Sequence, residues 1–287
     1  MQTLSEIAER LNGHLRSLIG PRDPYLHSGK HSLCQQYIRA ELAKWGKVTS
    51  QSFSAQRSQS SRKYYNWQTS LPGKCPELAP ILVGAHYDTV PGSPGADDNA
   101  SGVAVLLAIA EILSTNPPRR PIHFVAFDLE EYGLVGSTTC AQSWKAQQRP
   151  IHLMLSLEML GYFTTKPDSQ AYPLSALNRI YPSTGSFIAL IGNGPTLLQM
   201  IKLQSHLKRA KAPCQWLPVI NKGRQLPETR RSDHAPFWDA GYPAIMVTDT
   251  ANLRNPHYHT ASDRIETLNV DMMAKIAQGL ATGLGQM

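Results

Sequence analysis

Two adjacent glutamates, Glu130 and Glu131, follow an apolar run that closes on Asp128-Leu129. Side by side at a strand end, such carboxylates repel each other unless a proton or a cation intervenes. A metal centre would remove that conflict, and other parts of the chain offer ligands for one. The apolar run ILVGA leads directly into His86, with Asp88 two residues on, placed to accept the second imidazole N–H and fix the ring's tautomer and basicity. Alone, His-x-Asp is weak evidence, because a single histidine is more often a hydrogen-bonded structural residue. In GADDNASG, 95–102, small residues allow a tight turn that presents Asp97 and Asp98 at the start of a helix, although plain capping explains that feature equally well. Another apolar run ends on Glu158, and the turn-rich stretch NPHYHTASD, 255–263, supplies His257, Tyr258 and His259. Imidazoles and carboxylates gathered at strand ends suit two zinc ions about 3.5–4 Å apart, bridged by a carboxylate and by water. On residue types alone, the choices between Asp97 and Asp98 and between His257 and His259 stay open. His234, in the SDH segment, reads as a hydrogen-bonded structural residue.

These side chains need a scaffold that brings strand ends together. Short apolar runs with β-branched content at 81–83, 122–127, 151–157, 187–191 and 244–247 read as strands buried on both faces. Helical patterns alternate with them, most clearly over 99–114, where Asp98 is placed to cap and Asn116-Pro117-Pro118 ends the run. An amphipathic helix at the N-terminus and another from Asp271 onward complete the pattern. Alternation of this kind predicts an α/β three-layer sandwich, a mixed, mostly parallel central sheet flanked by helices, with ligands collected at the carboxyl ends of strands. A chain of 287 residues has the size of a single domain. Two proline-containing stretches, 162–186 and 213–232, are expected to be irregular, as lids, pocket walls or surface excursions.

GAHYD, GADDNASG, EEYGLVGS, RSDHAPFWDAGYPA and HYHTASD follow one another along the chain. In that order they resemble the co-catalytic zinc aminopeptidases, metallopeptidase family twenty-eight, which include bacterial leucyl aminopeptidases and, more distantly, glutaminyl cyclases. The likeness covers roughly residue 81 to the C-terminus, and the first eighty residues add little. It implies a zinc-exopeptidase fold of the phosphorylase/hydrolase-like kind and two Zn2+ ions. Asp98 would bridge them, with His86 and Glu158 completing one site and Glu131 and His259 the other. Glu130 is then the general base, Asp88 supports the site, and Tyr258 matches a position where some relatives hydrogen-bond the oxyanion. Glu158 departs from the pattern, since the aminopeptidases carry Asp there. Its extra methylene preserves metal binding but crowds the place where a substrate amine docks. A related co-catalytic fold uses Glu there in carboxypeptidase-type enzymes, which, with Arg224, Arg230 and Arg231, keeps recognition of a substrate carboxylate in view. The implied activity is an aminopeptidase acting on peptides or aminoacyl small molecules with an uncharged or apolar first residue. Glutaminyl cyclase and a carboxypeptidase-type hydrolase are the alternatives. Every ligand position is filled, which argues against a binding domain that has lost its chemistry.

Composition narrows the class further. The chain carries 28 Lys plus Arg against 21 Asp plus Glu, and 202–231 holds eight of those bases with Glu228 as its single acid. Nucleic-acid binding through such a block normally brings a recognisable module or stacking aromatics, and only Trp216 lies there, so a solvated basic face without a nucleic-acid partner is expected. The longest apolar run, 102–113, is shorter than the about 20 residues of a membrane span and contains Glu111, so no membrane partner is expected. The N-terminal helix mixes acids and bases with periodic Leu and Ile, unlike a signal peptide. Cys34, Cys75, Cys140 and Cys214 are widely spaced without a CxxC pair, a pattern expected of reduced thiols in a cytoplasmic enzyme.

Overall fold

Near-continuous Ile, Leu and Val runs become central strands because helices cover both faces of the sheet. The computed structural model describes residues 2–55 and 62–287. In chain order the elements are α1 (Leu4–Leu18), α2 (Ser28–Leu42), β1 (Thr49–Phe53), β2 (Tyr64–Leu71), β3 (Ile81–His86), α3 (Gly102–Thr115), β4 (Ile122–Phe127), α4 (Val135–Ala146), β5 (Leu153–Glu158), β6 (Ile188–Asn193), α5 (Leu197–Arg209), β7 (Cys214–Val219), α6 (His234–Ala240), β8 (Ala244–Thr248) and α7 (Val270–Gly285). The eight strands lie in the order β1-β2-β4-β3-β5-β8-β6-β7. Four neighbouring pairs, β3–β4, β3–β5, β5–β8 and β6–β7, are parallel; β1–β2, β2–β4 and β6–β8 are antiparallel. The sheet is therefore mixed and mostly parallel, as the sequence predicts.

Strand alternation sorts side chains into two cores. Ile81, Val83, Ala85, Phe124 and Leu155 point into the larger core, which they share with α1, α2, α3, α5 and α7. Leu82, Val125, Phe127 and Met154 point the other way, onto Trp144 of α4 and Phe237 and Trp238 of α6. Gly84 sits between these layers, where a Cβ would come within 2.2 Å of the Phe127 ring. Ala96–Thr115 is long and apolar enough to cross a membrane by length and composition, but 78% of that window is buried. It is packed against α1, α7 and the sheet, as a core helix.

Two expectations are corrected. Asp98 does not cap α3: residues Ala96–Ser101 form a wide π-type turn ahead of that helix, with Asp98 and Asn99 outside helical geometry. The stretch 213–232 is not wholly irregular, because 214–219 is β7, the edge strand beyond β6. Pro218, which reads as a loop signal, is tolerated there because an edge strand leaves one row of N–H positions unpaired. The first eighty residues, where the sequence pattern shows only the N-terminal helix, also contribute α2, β1 and β2.

Candidate metal centre

The parallel strands β3 and β5 lie side by side, and they end on His86 and Glu158, both buried. Between them the π-type turn delivers Asp98. His86 Nε2 lies 3.3 Å from Asp98 Oδ1 and 3.5 Å from Glu158 Oε2. On the opposite side, His259 Nε2 lies 3.0 Å from Asp98 Oδ2 and 3.2 Å from Glu131 Oε2. The two oxygens of Asp98 thus face two different imidazoles. The donor atoms of His86, Asp98 and Glu158 fall within 4.8 Å of one another, and so do those of Asp98, Glu131 and His259. Glu130 is in neither of these triads but forms a third group with His86 and Glu131 within the same 4.8 Å, and its Oε2 is 3.9 Å from His86 Nε2.

Burial and charge make this cluster demand cations. Both nitrogens of His86, Oδ1 of Asp98 and Oε1 of Glu131 are buried without a hydrogen-bond partner, an arrangement polar atoms rarely tolerate. Burial opposes charging of both imidazoles, yet the carboxylates around them prevail. Glu130 and Glu158 draw His86 well above its ordinary pKa, and Asp98 and Glu131 raise His259 to about 10. Burial, together with the charges of Glu158, Glu131 and Asp233, lifts Glu130 well above the usual carboxylate range. Burial and Asp98 push Glu131 up to about 7. Asp98 goes the other way: the two imidazoles outweigh its burial and hold it below that range. Nitrogen and oxygen donors in two triads with a shared carboxylate fit a pair of divalent ions of the zinc type.

A family model described as peptidase family M28 matches residues 66–283. The chain belongs to this family. It is 38% identical over 214 residues to the Escherichia coli (strain K12) protein YfbL, spanning 70% of this chain and 65% of that one. It is 29% identical over 236 residues to Leucine aminopeptidase 1 of Trichophyton equinum, spanning 76% and 57% respectively. Among solved structures, BSAP, a zinc aminopeptidase from Bacillus subtilis, superposes with a TM-score of 0.57 at 25% identity, over 77% of this chain and 49% of that one. The chain thus spans less than two thirds of the length of each of these proteins.

The M28 fold holds its loop-borne acids with side chains that motif reading only partly identifies. Asp88 accepts the backbone N–H of Glu130 at 3.1 Å and of Glu131 at 3.2 Å, one on each oxygen. It also faces the second imidazole nitrogen as expected, at a loose 3.4 Å from His86 Nδ1, so its firmer contacts orient the Glu130–Glu131 turn. Asp263 does the same for the other turn, accepting the N–H of Asp97 and of Asp98 at 2.8 and 3.1 Å. Ser232 donates to Glu158 Oε2 at 2.8 Å. Arg22 is fully buried and donates to the carbonyls of Leu18, Gly20, Tyr87, Pro94 and Gly95, directly ahead of the Asp98 turn. Tyr132, beside Glu131, donates its hydroxyl to Asp23. Arg22 left no sequence signal because its partners are backbone carbonyls, which no residue type advertises. Asp263 did carry one, as the last residue of HYHTASD.

Several neighbours face elsewhere. Asp97 accepts from the Gly161 N–H and the Asn255 side chain, both within 2.8 Å. His257 pairs with the Ser262 hydroxyl at 2.8 Å. His234 meets the Thr229 carbonyl at 2.8 Å and the Trp238 ring edge-on, and burial lowers its pKa to about 3. Tyr258 stacks on the His259 ring at 3.7 Å, and burial together with Asp98 keeps its hydroxyl protonated. Tyr258 and Glu158 also line a cleft open to solvent. Its walls come from 170–187, among them Tyr172, Leu177 and Phe187, and from 215–231, so both proline-containing stretches contribute to it.

Proposed function

We propose that this chain is an aminopeptidase working with two zinc ions, and that it releases N-terminal residues with apolar side chains. The observation that carries this reading is the division of Asp98 between two imidazoles, each with its own further carboxylate. His86, Asp98 and Glu158 would hold one ion; Asp98, Glu131 and His259 the other. When bound, such a pair lowers the pKa of water in the site towards about 7 and polarises a carbonyl. Glu130 then takes a proton from the attacking water and delivers it to the leaving amine. Its inward burial and the amide grip of Asp88 keep that carboxylate in place. Tyr258 offers its hydroxyl proton to the developing oxyanion. The largely apolar cleft beside Glu158 and Tyr258 suits the first side chain. The relatives named leucine aminopeptidase and zinc aminopeptidase support the same activity. Four free thiols, three of them buried, support a reducing, cytoplasmic setting.

The test is a panel of aminoacyl amides and N-acylated dipeptides, assayed on purified protein whose zinc content is measured in parallel. Release of leucine from leucinamide at two zinc per chain is the expected outcome. Cleavage of the acylated substrates alone would replace the aminopeptidase reading with a carboxypeptidase-type one. Ring closure of N-terminal glutamine at one zinc per chain would replace it with a cyclase.

A further inference from the structure

The three arginines at the end of the basic stretch 202–231 take two different directions once folded. Arg230 Nη2 pairs with Asp239 Oδ2 at 2.7 Å, and Arg224 Nη2 reaches the other oxygen of the same carboxylate at 3.7 Å. Arg231 turns the opposite way, into the cleft wall. Among the described residues no carboxylate lies within 4.0 Å of it. Its two hydrogen bonds go to neutral oxygens, Asn252 Oδ1 at 3.2 Å and the Tyr258 hydroxyl at 3.1 Å. A guanidinium offers five N–H donors in a planar fork suited to a carboxylate. Among the described residues Arg231 is the sole cation lining a cleft whose charged residues are otherwise Glu158 and Glu228.

We infer that Arg231 binds the free α-carboxylate of a dipeptide, so that the cleft selects dipeptides ending in a carboxylate over capped or longer ones. This deepens the aminopeptidase reading and rests on it. Tyr258 stacks on the ligand candidate His259 and, on the aminopeptidase reading, meets the scissile carbonyl. Arg231 bonds that same hydroxyl. A residue in extended form spans about 3.3–3.6 Å, so the carboxylate of the second residue falls within reach of the guanidinium, whereas a third residue carries it past. Of the two acids in the cleft Glu158 belongs to the ligand cluster, which leaves Glu228 and the cation Arg231 to meet the charges of a ligand. Two neutral acceptors hold the exposed guanidinium in place, with no carboxylate partner.

The experiment compares kcat/KM for Leu-Leu, Leu-Leu-amide and Leu-Leu-Leu on the zinc-loaded enzyme, its Arg231→Gln and Arg231→Lys variants. The expected result is a preference of about tenfold for Leu-Leu over the amide, carried by KM, that collapses in Arg231→Gln and is partly restored in Arg231→Lys. Equal losses on all three substrates would mean that Arg231 acts only through Tyr258, and would overturn the inference, as would a wild-type enzyme without preference. Calorimetric binding of Leu-Leu and its amide to zinc-loaded Glu130→Gln protein separates the two readings. If no substrate is cleaved by the wild type yet the free acid binds about tenfold tighter, and Arg231→Gln removes that difference, the carboxylate site stands and the aminopeptidase reading falls.

Discussion

The two histidine ends of the centre are built from different material. His86 closes β3 between two parallel neighbours, its side chain is 0% exposed, and Glu158 closes the adjacent β5. His259 lies in an irregular segment with a left-handed backbone, φ 58°, and its side chain is 32% exposed. Its companion Glu131 follows Leu129, another left-handed residue at φ 57°. Non-glycine residues in that region cost energy and persist only where the surroundings hold them. For the Glu131 turn the holding is done by Asp88, and for the Asp98 turn by Asp263 and Arg22. A sheet ladder preforms one end; a few hydrogen bonds assemble the other. The strand-borne end should therefore be the stiffer and the tighter binder of metal.

The largest effect should separate the adjacent glutamates. Glu130→Gln is expected to keep two zinc ions and lose about 10³-fold in kcat, the order expected for removing a general base, while Glu131→Gln should lose metal first. Activity and zinc content measured on the same samples check this, and an active Glu130→Gln protein would break it.

Next comes the order of metal release. Stepwise chelation should remove zinc in two phases, and His259→Ala should abolish the more labile one. If His86→Ala removes the labile phase instead, the ranking of the two ends is reversed.

Asp88→Asn leaves one amide acceptor where there were two. Because it acts on the turn and not on the strand end, it should lower kcat by about 10–100-fold, the scale of losses when groups supporting a metal site are removed. A larger change in KM than in kcat would argue against that role. Arg22→Met leaves five carbonyls short of a donor and should cost about 2–3 kcal/mol in urea unfolding of the zinc-free protein. A shift below about 0.5 kcal/mol, the scale of ordinary surface substitutions, would show that the Asp98 turn needs no brace.

The smallest effect lies outside the centre and serves as its control. Burial lowers the pKa of His123 to about 4, helped by the Arg149 charge, and burial lowers His14 to about 4 despite Glu41. Their folded values lie below the ordinary 6.5, so the unfolded chain binds more protons between those limits. Stability should fall as pH drops from about 6.5 towards 4, by on the order of 1–2 kcal/mol per histidine. In zinc-free protein His123→Phe should flatten that slope; an unchanged slope would remove His123 from the account.

Legibility in the sequence follows burial. The central strands were readable to within a few residues, because strands covered on both faces are written as apolar runs: 122–127 matches β4 at both ends, and 244–247 is one residue short of β8. β1 and β2 escaped, since TSQSF and YYNWQTSL are polar and only partly buried. The candidate ligands were readable for a related reason, as charged residues that interrupt or terminate apolar runs are conspicuous.

Residue type and order alone determined that this chain builds a mostly parallel sheet with acids and imidazoles at its strand ends. That follows because burial dictates composition, and buried charge must be explained. Tertiary structure decided which oxygen of Asp98 faces which imidazole, that Asp97 and His257 turn away, and that Asp88 grips amides more firmly than it does His86. It also decided that one arginine of three faces the cleft. Those outcomes depend on directions in space between residues far apart in the chain, and a hydrogen bond to a backbone carbonyl or amide leaves no trace in its partner's side chain.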